Sequence, residues 1–98
     1  MSICYMYILQ CSDGTLYTGS TRNLEDRLNR HNSGNGANYT QKRLPVKLVY
    51  FEEFNRIDHA FNREKQIQNW SHAKKLALIN NKPDILKQLA KKKFDKSS

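Results

Sequence analysis

The spacing of apolar and polar positions changes along the chain, and each change predicts an element. Residues 5–10, Tyr-Met-Tyr-Ile-Leu-Gln, form a short aromatic and branched run that predicts a strand. Ser12-Asp13-Gly14 predicts a turn, Asp-Gly being a common hairpin signal, and residues 15–19 then pair back antiparallel. From about residue 22 to 32 the spacing becomes helical, with Leu24 and Leu28 making the apolar stripe. Asn23 is a good N-cap, Glu25 and Asp26 lie in the first turn where the helix dipole favours acids, and Gly34 can close the far end in the left-handed region. Residues 33–38 read as a glycine-bearing loop, and residues 39–45 as a basic segment with one aromatic.

A third strand is predicted over residues 46–52, where Val, Leu, Tyr and Phe dominate. A second helix starts within residues 55–58 and runs to about 69. Ser71 caps a third, with Ala73, Leu76, Ala77 and Leu78 or Ile79 at helical spacing. Residues 80–83 break it, and Pro83 suits the first turn of a last short helix to about residue 90. These elements predict an α+β layered domain, a three-stranded antiparallel sheet flanked by helices. It occupies residues 1–82, and residues 83–98 add a short C-terminal helix and basic tail.

Composition narrows the partners. With 98 residues the chain has room for one small core. Seventeen Lys and Arg against nine Asp and Glu give a net charge of +8, which points to a polyanion, nucleic acid first. Cys4 and Cys11 lie at opposite ends of the first predicted strand, and no His/Cys cluster has zinc spacing, which suits a reducing cytoplasm. The first five residues do not read as a secretion signal, and no apolar stretch approaches a membrane span, so no membrane association is expected.

Candidate chemistry begins with an anomaly. With Ile57 set at 0°, Phe61 falls near about 40°, Ala60 near −60°, Ile67 near −80° and Gln68 near 20°, while Glu64 falls near −20°, inside the apolar stripe. A lone carboxylate there is costly without a partner. Either it salt-bridges Arg27 from the first helix, or it lines a cleft and binds a divalent cation. Arg27 and His31, four apart, lie along one edge of the first helix's stripe, and Tyr17 on the preceding strand can face the same edge. A phenol, a guanidinium and an imidazole converging there would suit a phosphate better than a core.

Taken in order, Tyr5-Met6-Tyr7, the hairpin, Tyr17-Thr18-Gly19, the helix with Arg27 and His31, and Ala60-x-x-x-Glu64 resemble the GIY-YIG nuclease domain over residues 5–78. The resemblance is nearest to short stand-alone bacterial proteins of that family. It extends to the catalytic domains of the excision-repair nuclease UvrC and of eukaryotic structure-selective endonucleases. Tyr7 and Tyr17 match the two motif tyrosines and Gly19 the final glycine. Tyr5-Met6 replaces Gly-Ile, Thr18 replaces the second isoleucine, and Ser20 stands where some members carry lysine.

The resemblance implies metal-dependent phosphodiester hydrolysis, with DNA favoured over RNA and branched or damaged structures in repair or recombination as candidate substrates. Glu64 would hold one Mg²⁺ or Mn²⁺. Arg27 would neutralise transition-state charge. Tyr7, Tyr17 or His31 would act as or assist the base. Tyr39, Lys42 and Arg43 would contact nucleic acid, Tyr39 by stacking and the two cations through phosphates. So small a domain either reads nucleic-acid shape itself or relies on a protein partner for recognition. The alternative is a basic nucleic-acid-binding module of the same fold that does no chemistry.

Overall fold

In the computed structural model, residues 3–80 are described, and the short helix and basic tail expected over 83–98 lie outside them. The hairpin forms as its turn chemistry dictates: β1 (Cys4–Gln10) and β2 (Leu16–Thr21) pair antiparallel, and Gly14 takes a φ of +87° in the turn between them. Asp13 accepts hydrogen bonds from the backbone N–H and hydroxyl of Thr15 and closes that turn. β3 (Lys47–Phe54) pairs antiparallel on the other side of β1, with a register shift between Ile8 and Leu9. The sheet order is therefore β2-β1-β3, with β2 an edge strand.

The central strand explains its own composition. Both of its faces are covered, so its apolar run is nearly continuous rather than alternating. Tyr7 and Leu9 join one core cluster with Val46, Leu48 and Phe51, packed by Leu24 and Leu28 of α1 (Leu24–Asn32). Met6 and Ile8 join the other, with Tyr50, Ile67 of α3 (Ile57–Gln68) and Ile79 of α4 (His72–Asn80).

The caps behave as expected. Asn23 accepts from the N–H of Asp26, Gly34 takes a φ of +87° after the last turn of α1, and Ser71 accepts from the N–H of Lys74. Asn32 then exchanges two hydrogen bonds with the backbone of Val46, fastening the end of α1 to the start of β3.

Three differences from the sequence expectation have physical causes. A single helical turn, α2 (Asn38–Gln41), spans the junction of the glycine-bearing loop and the basic segment, too short to leave a periodic signal. β2 continues two residues beyond the predicted end, through Gly19, because Tyr5 and Met6 of β1 pair with Thr21 and Ser20. Phe61 is 47% exposed rather than core, with the Lys65 ammonium 4.9 Å from its ring centre. The buried centre of α3 runs through Ala60 and Ile67, so Phe61 lies about 100° away and Glu64 at the margin between core and surface. Cys4 and Cys11 are buried free thiols.

Candidate active site on the edge strand

Glu64 sits where α3 crosses β2. It is half-buried, and it pairs with neither Arg27 nor any other cation among the described residues, where the ion pairs are Arg43–Asp13, Arg56–Asp58 and Arg63–Glu52. The expected alternative of a salt bridge to Arg27 is therefore not what balances it. Its two oxygens are held by neutral donors: the Ser20 hydroxyl at 2.6 Å and the Gln68 side-chain amide at 2.7 Å. That amide also reaches the Thr18 carbonyl at 3.5 Å, tying the last turn of α3 to the edge strand. The carboxylate is thus satisfied by neutral hydrogen-bond donors, with no ion pair to it among the described residues.

The hairpin and α1 bring the other candidates together. Tyr7 is fully buried, and its hydroxyl lies 3.2 Å from Nε2 of His31. The Tyr17 ring stands edge-on to the same imidazole at 5.3 Å between centroids. Burial pushes the Tyr7 phenol up to about 12; Arg27 opposes the rise, and Tyr17 and Glu64 add to it. Burial also raises Tyr17, helped by Glu64 and opposed by Arg27. His31 is lowered, first by burial and then by Arg27, so it is neutral at pH 7. The same guanidinium and the same carboxylate thus act on both phenols, and the five expected residues form one electrostatic cluster.

Two glycines make room for it. Gly19 pairs with Tyr7 across the hairpin, and a Cβ there would collide with the Tyr7 hydroxyl. A Cβ on Gly36 would collide with the His31 ring and its backbone. Neither glycine has a positive φ; what each supplies is clearance. On the far side of His31, Nδ1 lies 2.9 Å from the hydroxyl of Thr40 in α2, and that hydroxyl donates to the Ala37 carbonyl at 2.9 Å.

A cleft of about 280 Å³ opens beside the cluster, lined by Tyr17, Arg27, Arg30, His31 and residues 35–37. Of the expected nucleic-acid contacts, Lys42 is exposed. Tyr39 is 37% exposed and stacks on Tyr17 at 6.1 Å and 23°. Arg43 also lies over the Tyr39 ring, at 4.0 Å, and pairs with Asp13 at 3.0 Å, so it braces the hairpin turn against α2. Arg30, Thr40, the clearance at Gly36 and the contacts of Ser20 and Gln68 with Glu64 are the parts of the site that the sequence did not assign to it. Two carried a signal: Arg30 lies one turn beyond Arg27, and Gln68 is a second polar residue in the stripe beside Glu64.

Comparison with known proteins follows the same outline. The family description "GIY-YIG catalytic domain" matches residues 3–77. A UPF0213 protein of Syntrophus aciditrophicus is 53% identical over 85 residues, covering 86% of this chain and 98% of that protein. One from Streptococcus agalactiae is 52% identical over 75 residues, covering 76% and 85%. Among solved structures, the UPF0213 protein of Bacillus halodurans superposes with a TM-score of 0.54 at 39% identity, covering 82% of this chain and 85% of that one. A protein from E. faecalis gives 0.57 at 32% identity, covering 83% and 86%.

Proposed function

The chain belongs to the GIY-YIG family, and from that premise we propose that it is a metal-dependent endonuclease that hydrolyses phosphodiester bonds in DNA. The observation that carries the proposal is the cluster itself. Two phenols lie within electrostatic reach of both Arg27 and the Glu64 carboxylate, one of them beside a neutral imidazole, next to a cleft lined by Arg27 and Arg30.

The residues fit a divalent ion. Glu64 is a hard oxygen donor, and each of its oxygens has taken one hydrogen bond and keeps a lone pair. One carboxylate, water and a phosphate oxygen are a donor set that Mg²⁺ or Mn²⁺ accepts. When bound, such an ion supplies Lewis-acid polarisation of the phosphate and counter-charge. The chain's own groups do the rest. Arg27 faces the added negative charge of the five-coordinate transition state, for which a planar guanidinium is well shaped. A water oxygen bonds to phosphorus as the bond to the leaving sugar oxygen breaks. The water's proton passes to the Tyr7 oxygen while the Tyr7 proton passes to His31, and the leaving oxygen takes a proton from solvent. His31 returns its proton to solvent afterwards. Tyr17, half-buried at the cleft, orients the substrate side of the site. Arg30, Tyr39, Lys42 and the net charge of +8 supply backbone contacts, and branched or damaged DNA is the favoured substrate class.

The test is nicking of flap, junction and single-stranded DNA with Mg²⁺ or Mn²⁺, comparing wild type with Glu64→Ala and Arg27→Ala. Metal-stimulated cleavage that both substitutions abolish is expected. Cleavage unchanged in both variants overturns the proposal. DNA binding that falls with salt, is indifferent to metal and comes without cleavage would instead identify a binding module.

A further inference from the structure

Thr40 is absent from the residues that line the cleft, yet it is fully buried and its hydroxyl lies between His31 and the Ala37 carbonyl. A threonine hydroxyl has one proton. The Ala37 carbonyl, which also accepts from the backbone N–H groups of Thr40 and Gln41, lies 2.9 Å from that hydroxyl; with the proton given to it, the oxygen accepts from Nδ1 of His31, also at 2.9 Å. In that arrangement Nδ1 carries the imidazole proton. In the neutral ring this leaves a lone pair on Nε2, and the group facing it, 3.2 Å away, is the Tyr7 hydroxyl, which must donate. The hydrogen bonds in the chain Tyr7–His31–Thr40–Ala37 then all run in one direction, ending on a backbone carbonyl. Space around the ring is equally restricted, because the position of Gly36 admits no side chain beside Nδ1.

We infer that Thr40 is a positioning residue: it holds His31 in the tautomer with Nδ1 protonated, so that Nε2 is the acceptor for the Tyr7 proton. The kinetic consequence rests on the nuclease reading above; the tautomer itself does not. With Nε2 protonated instead, the imidazole would present a donor to the phenol, and no acceptor would be in place for its proton. An orienting group behind a base has this role in hydrolases generally, and the wrong tautomer there is costly.

Two measurements separate the inference from the reading it rests on. The first is nitrogen NMR of the imidazole in ¹⁵N-labelled wild-type protein above neutral pH, without metal or DNA. The proton of His31 is expected on Nδ1, and in Thr40→Val the proton on Nε2 appears. The second is cleavage kinetics. Thr40→Val is expected to lower kcat by about 10²-fold, within the range of a lost proton acceptor, with KM unchanged, while Thr40→Ser restores the wild-type rate. A wild-type spectrum with the proton on Nε2 overturns the inference, and so does a Thr40→Val enzyme with wild-type kcat. If Thr40→Val does not fold, the wild-type spectrum alone decides. If the wild type cleaves nothing, the nuclease reading fails, and the spectrum still judges the tautomer.

Discussion

Each side of the sheet buries a tyrosine whose hydroxyl is hydrogen-bonded, and the two differ in what the hydroxyl meets. Tyr7 meets a neutral imidazole, with Arg27 opposing the effect of burial. Tyr50, on the face covered by α3 and α4, donates to the Glu52 carboxylate, which Arg63 already grips through two hydrogen bonds at 2.9 and 3.1 Å. Burial raises Tyr50 first, then its bond to Glu52 and the charge of that group, so its proton stays where it is. Burial alone therefore says nothing about role. A phenol beside a base with a free lone pair can pass its proton on; a phenol beside a neutralised carboxylate is a strut.

The comparison breaks most sharply under matched substitutions. Tyr7→Phe is expected to lower kcat by about 10²–10⁴-fold. Tyr50→Phe should leave the rate within about twofold and cost about 1–3 kcal/mol of stability through the lost bond to a charged group. Nicking rates and urea midpoints measured on both variants check this, and equal rates would erase the distinction. Gly36→Ala probes the same side sterically. Overpacking against the His31 ring should cost about 1–3 kcal/mol and reduce cleavage. Gly34→Ala, where nothing crowds a Cβ, should cost only the strain of its positive φ and spare the rate.

Stability against pH tests the imidazole next. Its folded value lies below that of an unfolded histidine, about 6.5. Between the two values the unfolded chain binds a proton that the folded chain refuses, so stability falls as pH drops below about 6.5. Urea midpoints at pH 7.5 and 5.5 should show this slope in wild type and a shallower one in His31→Gln. The smallest effect belongs to the other side of β2. The Thr18 hydroxyl is buried without a partner among the described residues, so Thr18→Val should raise stability by about 1 kcal/mol without changing the rate.

Local chemistry was legible in the sequence. The Asn23 cap, the Asp13-Gly14 turn and the continuous run of β1 all follow from short-range rules, and Glu64 stood out because it broke one. Its partners did not show, because Ser20 lies 44 residues away and the spacing within α3 cannot reveal what lies across from it. His31 was readable as a helix-edge histidine but not as a fully buried one. Its burial depends on α2 and on the clearance at Gly36, and both are set by a loop without periodicity. Phe61 misled because its position in the stripe counted it as apolar without saying where the stripe's centre would dock.

The order in which the cluster is supplied has a consequence of its own. Tyr7, Tyr17, Arg27 and His31 come from the hairpin and first helix, whereas the carboxylate arrives only with α3, after all three strands. On a ribosome, a nascent chain can assemble its phenols and guanidinium well before any acid stands opposite them. A stalled or clipped product ending ahead of residue 57 would hold everything but the anion, and so would lack the group that the proposed nuclease needs to hold its metal.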